Sequence, residues 1–161
     1  MSILNSVNQL VTVKLYYKSV RTKSGVDKII VLTDEEGEEG MKKQEDIIKE
    51  KQEKGEKITE EDRKIEVLTT QWKSLNWGDQ TKIMKKSERF NPKGEQNIDW
   101  LSFRDLRIKN CLVNWDIKDA KGNPVPLSSE TVDMLPSNVV AELFSKYIDL
   151  VEGTEEEQEK N

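Results

Sequence analysis

The sequence predicts an α+β chain. It has an N-terminal β-hairpin, a charged helical or flexible middle segment, and a mainly helical C-terminal body with one short strand and a hairpin-like turn. Three observations predict this. Apolar residues alternate in steps of two near the start, they recur at spacings of three and four after Thr59, and a run of Lys, Glu and Gln with few apolar side chains lies between. A length of 161 residues fits one compact unit with a small appendage. Leu, Ile, Val and Phe supply about a quarter of the chain, above the roughly 20% below which disorder is expected. The expected segments are a hairpin over 1–36, a charged helix or linker over 37–58, a helical body over 59–152 and a disordered acidic tail over 153–161.

Each element has its own signal. From Gln9 to Val20, Val11, Val13 and Leu15 alternate with Thr12 and Lys14, and two tyrosines add β-propensity. Thr22 to Asp27, centred on Ser24 and Gly25, supplies a turn before the β-branched run Lys28 to Leu32. Two strands alone are marginal in water, so the hairpin must pack or pair. Asp34 to Gly40 breaks the pattern. Met41 to Lys57 has helix propensity but almost no face to bury, which fits a solvated helix or a flexible linker.

Thr59-Glu-Glu-Asp62 reads as a helix start, and Ile65, Leu68, Trp72 and Leu75 as one stripe of an amphipathic helix. Asp79 is expected to cap a second helix running to about Arg89, with a loop over Phe90 to Gly94. Asp99 is expected to cap a third helix, whose apolar positions are too dense to fix one face. Cys111, Val113, Trp115 and Ile117 alternate as a short strand, and Asp119 to Pro126 has turn chemistry. Ser128 or Ser129 then caps a short helical turn, Pro136 opens a final helix and Gly153 stops it.

Charge is unevenly spread. The chain has 26 basic and 31 acidic residues, a net charge of −5. Thr33 to Glu66 holds 14 acids against 8 bases, and Asp149 to Asn161 holds 6 against 1. The remainder nets +6. With no histidine, a Ser-His-Asp or Cys-His catalytic set is excluded, and an ordinary zinc site is not expected. The one cysteine, Cys111, cannot pair internally, as suits a reducing compartment. Met1 to Leu10 lacks the features of a signal peptide, and no stretch approaches the roughly 18 apolar residues of a membrane span. A cytoplasmic protein with no membrane partner is expected.

No constellation of residues singles out catalysis. Most carboxylates sit in solvated runs where burial cannot raise a pKa. Cys111 reads as a core thiol, and Asp116, Asp119, Gly122 and Asn123 lack the ligand spacing and closing glutamate of a calcium loop. No catalytic residue, metal or cofactor is expected. Lys82, Lys85, Lys86, Arg89 and Lys93 form a basic stripe beside Trp77 and Phe90, a pattern that can bind phosphates or simply be solvated. Trp72 and Trp115 read as core. Trp77 and Trp100 stand at helix ends, where they either pack or meet a partner. Val140, Phe144, Tyr147, Ile148 and Val151 form a stripe on the final helix, either core or a face for a client or a second copy.

The order of features from Leu68 to Val151 resembles the tail assembly chaperones of long-tailed bacteriophages. The residues that carry the resemblance are Leu75-Asn-Trp77-Gly-Asp79, a short basic helix, Cys111-Leu-Val-Asn-Trp115-Asp116, the turn from Asp119 through Gly122 to Pro124 and Pro126, and Leu135-Pro136 before the last helix. The resemblance covers just over half of the chain and implies binding, not catalysis. Such chaperones coat the helical tape measure protein, keep it soluble and recruit tail tube subunits. Some are also made as a longer frameshifted product, to which this chain would be the short counterpart. The alternatives are a structural virion component (a baseplate, connector or tail-terminator subunit) and, ranked below it, a small nucleic-acid-binding accessory protein.

Overall fold

The computed structural model describes residues 3–153. Its elements follow in chain order. A short helical turn, α1 (Ile3–Ser6), precedes β1 (Leu10–Arg21) and β2 (Asp27–Leu32). Helix α2 (Asp34–Glu53) leads through a 3-10 turn (Glu61–Arg63) to β3 (Ile65–Lys73). Then come α3 (Trp77–Ser87), β4 (Glu88–Phe90), β5 (Gln96–Ile98), α4 (Trp100–Cys111), β6 (Leu112–Trp115), α5 (Ser129–Asp133) and α6 (Ser137–Glu152). The chain is α+β, with a four-stranded sheet of order β2-β1-β3-β6 and a separate β4–β5 pair. It divides into two compact units, and β1, β3 and α6 each contribute residues to both. The acidic tail expected beyond Gly153 lies outside the described residues.

The hairpin unit comprises 14–69 and 135–145. Its β1 and β2 pair antiparallel, with Tyr16 opposite Leu32 and Arg21 opposite Asp27, around a turn in which Gly25 takes φ +81°. The hairpin read from the alternating residues is therefore present. The acidic Asp34 to Gly40 run, expected to interrupt structure, instead forms the first two turns of α2. The Thr33 hydroxyl accepts the Glu36 N–H at 3.2 Å, and Asp34, Glu35 and Glu36 meet the positive end of the helix dipole. The linker alternative for the following stretch is overturned, since α2 continues to Glu53.

Glycine explains why this helix packs without an apolar stripe. A Cβ on Gly37 would collide with the Cβ and ring of Tyr16, and one on Gly40 would collide with the Ile65 side chain. The same face then offers Gln44, whose amide donates to the Ile65 carbonyl and accepts the Ile65 N–H, both at 2.9 Å. Further along, Lys51 binds Asp62 at 2.6 Å. Residues 37, 40, 44, 48 and 51 follow helical spacing, so the packed face is Gly, Gly, Gln, Ile and Lys.

The helix expected from Thr59 through Leu75 is a strand. Ile65–Lys73 buries Leu68, Thr70 and Trp72, a two-residue period on one face. Its residues Ile65, Val67, Thr69 and Thr70 are β-branched, which favours the extended backbone. Leu68 and Trp72, four apart, satisfy both periods, and the β-branched residues between them decide the outcome. Thr59 and Asp62 do form a cap-like pair, but on the 3-10 turn: Asp62 accepts the Thr59 N–H at 2.9 Å and its hydroxyl at 3.0 Å. The C-terminal body thus holds β3, β4 and β5 as well as the one strand expected.

The helix-pair unit comprises, among the described residues, 3–13, 70–134 and 146–153. At its centre Trp72 stacks on Tyr147, with ring centroids 4.6 Å apart and planes at 19°. The Trp72 indole N–H donates to the Thr70 hydroxyl at 2.8 Å, and that hydroxyl donates to the Val13 carbonyl at 2.9 Å. Tyr147 donates to the Lys73 carbonyl at 2.8 Å. Each buried polar atom named here therefore has a partner, which avoids the cost of leaving one unsatisfied. Ile83, Ile108, Cys111, Leu112, Trp115 and Val132 complete this core.

Helix α3 is capped by Asn76, whose side chain accepts the Asp79 N–H at 2.8 Å, and not by Asp79 as expected. It stops at Ser87, two residues early, and the expected loop from Phe90 becomes the turn of the β4–β5 hairpin. Asp99 caps α4 as predicted, accepting the Leu101 and Ser102 N–H groups at 3.1 and 3.2 Å. The strand expected from Cys111 to Ile117 is shorter. Cys111 ends α4, and a register shift at Gln71/Trp72 places Leu112 in the core while Val113 is exposed. The turn from Asp119 uses its carboxylate internally, accepting the Lys121 and Asn123 N–H groups at 2.9 Å, with Gly122 at φ +82°. Ser128 caps α5 in a reciprocal pair with Thr131.

Candidate partner surface

The residues singled out as partner contacts separate into two groups. On α6, Tyr147 is fully buried against Trp72, so it is a core residue and not a docking one. Val140, Phe144, Ile148 and Val151 are half-buried. The fully buried positions of that helix, Val139, Leu143 and Tyr147, recur at spacings of four, which makes the stripe chiefly an inward face. Trp77 and Trp100 behave differently. Trp77 opens α3 and is 80% exposed; Trp100 opens α4 and is 67% exposed.

Trp100 does not stand alone. Leu101 beside it is 72% exposed and Phe90, at the end of β4, is 67% exposed. Local chemistry fixes where they sit. Glu88 pairs with Ile98 and Phe90 with Gln96, so the hairpin delivers the chain to the first turn of α4. The Asp99 N–H donates to the Ser87 carbonyl at 2.8 Å, joining the end of α3 to the start of α4. Arg89 fastens this junction. One of its amino groups donates to the Lys86 and Glu88 carbonyls at 3.0 and 2.8 Å, and the other to the Ser102 hydroxyl at 3.3 Å. Asp99 lies 3.7 Å from the same guanidinium. The Ser102 hydroxyl and N–H, more than the Arg89 charge, hold the Asp99 carboxyl below its ordinary pKa. Trp100 leans edge-on against Phe103 at 5.6 Å, an anchor for a ring that is otherwise exposed.

The basic stripe is also divided. Lys82, Lys85 and Lys86 are exposed on one face of α3, whereas Arg89 belongs to β4 and is engaged in the junction. Lys93 is exposed in the hairpin turn. Lys82, Lys85, Lys86 and Lys93 form no ion pair with another described residue.

The residues with perturbed titration are structural. Burial pushes the Cys111 thiol up, away from the thiolate a nucleophile needs. Tyr147 is also pushed well up, by burial first and by Cys111 second. An open cleft of about 210 Å³ is lined by Ser74, Leu75, Gln80, Phe103, Arg107, Tyr147, Val151 and Glu152. Arg107 on its wall binds Glu152 at 2.7 Å and lies 5.6 Å from the centroid of the Tyr147 ring, so its charge is already engaged. Among the described residues no group of three His, Cys, Asp or Glu side chains could hold a metal, and no helix is long and apolar enough to cross a membrane.

From the sequence Leu101 is not expected as a partner contact, and Phe90 only as an aromatic beside the basic stripe. For Leu101 the signal was the crowding itself: Trp100, Leu101, Phe103, Leu106 and Ile108 are too many apolar residues for one inward face, so some must face outward. No protein-family model matches the chain, and no curated protein or solved structure matches it either.

Proposed function

We propose that this chain is a non-enzymatic tail assembly chaperone of a long-tailed bacteriophage. In this reading it works in the host cytoplasm, binds and solubilises the tape measure protein and helps recruit tail tube subunits. The observation that carries the proposal is the set of large apolar residues, Trp77, Phe90, Trp100 and Leu101, displayed to solvent on a chain that is 35% charged. A holdase needs this combination: apolar anchors to take up a client, and charge to keep the complex soluble. The resemblance from Leu68 to Val151 supplies the client, although its first piece, a helix ending at Leu75, is a strand here. Co-expression with the tape measure protein of the same phage is expected to give a soluble complex, with the chain missing from mature particles. A tape measure protein that stays insoluble beside it sinks the proposal.

A structural subunit of the virion is the second reading, and one observation favours it. The strand order leaves β2 of the hairpin at an edge of the four-stranded sheet, the position from which a strand joins a neighbour's sheet. Recovery of the chain from purified virions at fixed stoichiometry would establish this reading in place of the first. A nucleic-acid partner has less support, because Arg89 of the basic stripe is engaged in the hairpin junction.

A further inference from the structure

We propose that Asn138, the second residue of α6, guards the free edge of β2 against pairing with a second copy of this chain. The guard is one directed contact at the middle of a row of outward backbone groups. The Thr22 N–H donates to the Val26 carbonyl at 2.9 Å, and bonded pairs recur every second residue from there, at Val20–Lys28, Lys18–Ile30 and Tyr16–Leu32. The N–H and C=O groups of Asp27, Ile29 and Val31 therefore point away from β1, along the edge that the strand order leaves free. The Asn138 amide donates to the Ile29 carbonyl at 2.9 Å. Both partners of this bond belong to the hairpin unit.

Such a row is a template for another strand. Strand β2 holds neither proline nor glycine, Asp27 and Lys28 cancel in charge, and Ile29 to Leu32 are all apolar. The other edge strand, β6, has 4 residues and a register shift against β3, two features that blunt an edge. The outward row of β2 is also its own complement. In an antiparallel pair of copies centred on Ile29, each Ile29 exchanges both backbone bonds with the other, and Asp27 faces Val31. Asn138 occupies the acceptor at that centre. The outward groups left on either side, at Asp27 and Val31, stand about 14 Å apart at the usual rise of a strand. An incoming strand must displace the amide, and two copies that pair lose one hydrogen bond each. A neighbour's strand, as the structural reading has it, meets the same guard, which acts whichever of the two readings holds.

Sedimentation of the purified full chain over a range of concentrations tests the guard. Asn138→Ala is expected to lower the concentration of half-association by about tenfold or more, since two hydrogen bonds no longer oppose pairing. Alanine is the better helix former, so a loosened α6 would not account for such a gain. Adding Val31→Pro is expected to return the chain to wild-type behaviour, because proline removes the outward N–H of Val31 and no bond to β1. If that variant fails to fold, Asp27→Pro, at the exposed first residue of β2, is expected to act in the same direction. Self-association that Asn138→Ala leaves unchanged or undetectable overturns the guard, and so does a gain that the proline leaves intact. Neither outcome bears on tape measure solubility or on presence in virions, so the functional readings stand or fall separately.

Discussion

Helices α2 and α6 pack by opposite means. Helix α6 buries Val139, Leu143 and Tyr147, a regular apolar stripe. Helix α2 is 20 residues long, and the residue it buries fully is Gly37. It gains its place by leaving side chains out: Gly37 admits Tyr16, Gly40 admits Ile65, and Gln44 and Lys51 then make directed polar contacts. One helix is held by filling space and the other by vacating it. The difference teaches that a hydrophobic stripe is sufficient for packing but not necessary, and that a helix rich in charge can still be fixed by close approach.

The largest break in this comparison comes from emptying the filled side. Tyr147→Ala removes the ring stacked on Trp72 and the hydroxyl bound to the Lys73 carbonyl. A loss of about 3–5 kcal/mol is expected from urea unfolding, as for other large aromatic deletions in cores. Tyr147→Phe keeps the ring and leaves the Lys73 carbonyl without that donor, for about 1 kcal/mol. Equal losses for the two variants would show that the ring contributes nothing beyond its hydroxyl.

Filling the vacated side is the next test. Gly37→Ala should raise helix propensity by about 1 kcal/mol, yet a net loss of about 1–3 kcal/mol is expected because the new Cβ meets the root of Tyr16. Gly40→Ala meets the tip of the Ile65 side chain, which can swing aside, so a change within about 0.5 kcal/mol is expected. A stabilised Gly37→Ala variant would mean that α2 does not approach the hairpin as closely as the structure has it.

The same contrast explains how much was legible in the sequence. The β1–β2 hairpin, the Asp99 cap and the Asp119 turn advertise themselves through period or turn chemistry, whereas α6 was legible as a helix but its buried positions are Val139, Leu143 and Tyr147, of which the expected docking stripe held Tyr147. Helix α2 was half legible: its propensity was plain, but a face made of Gly37, Gly40, Gln44 and Lys51 has no hydropathic signature. Strand β3 was misread because Leu68 and Trp72 satisfy spacings of two and of four alike, while Thr70, a core residue, counts as polar. Of the partner surface, Trp77 and Trp100 were legible as helix-end aromatics. Leu101 was signalled by the surplus of apolar residues on α4, while the place of Phe90 depended on the β4–β5 hairpin and its junction with α4, a tertiary arrangement with no spacing rule.

The smallest expected effect lies at the far end of α2, where polar contacts take over from glycine. Three donors converge on one oxygen of Asp62: Lys51 at 2.6 Å, the Thr59 N–H at 2.9 Å and the Thr59 hydroxyl at 3.0 Å. The Lys51 hydrogen bond, followed by the Thr59 N–H, lowers the Asp62 pKa to about 2. A folded value below the unfolded one, near 3.9, means that the ionised carboxylate stabilises the fold. That contribution is complete above about pH 4 and disappears as the pH falls through about 2. Asp62→Asn is therefore expected to lower the urea midpoint slightly at neutral pH, by less than Gly37→Ala does, and the gap from the wild-type chain should close between about pH 4 and pH 2. A gap that stays constant across that range would show that the asparagine acts through shape alone. The end of α2 would then be held as the middle is, by fit and not by charge.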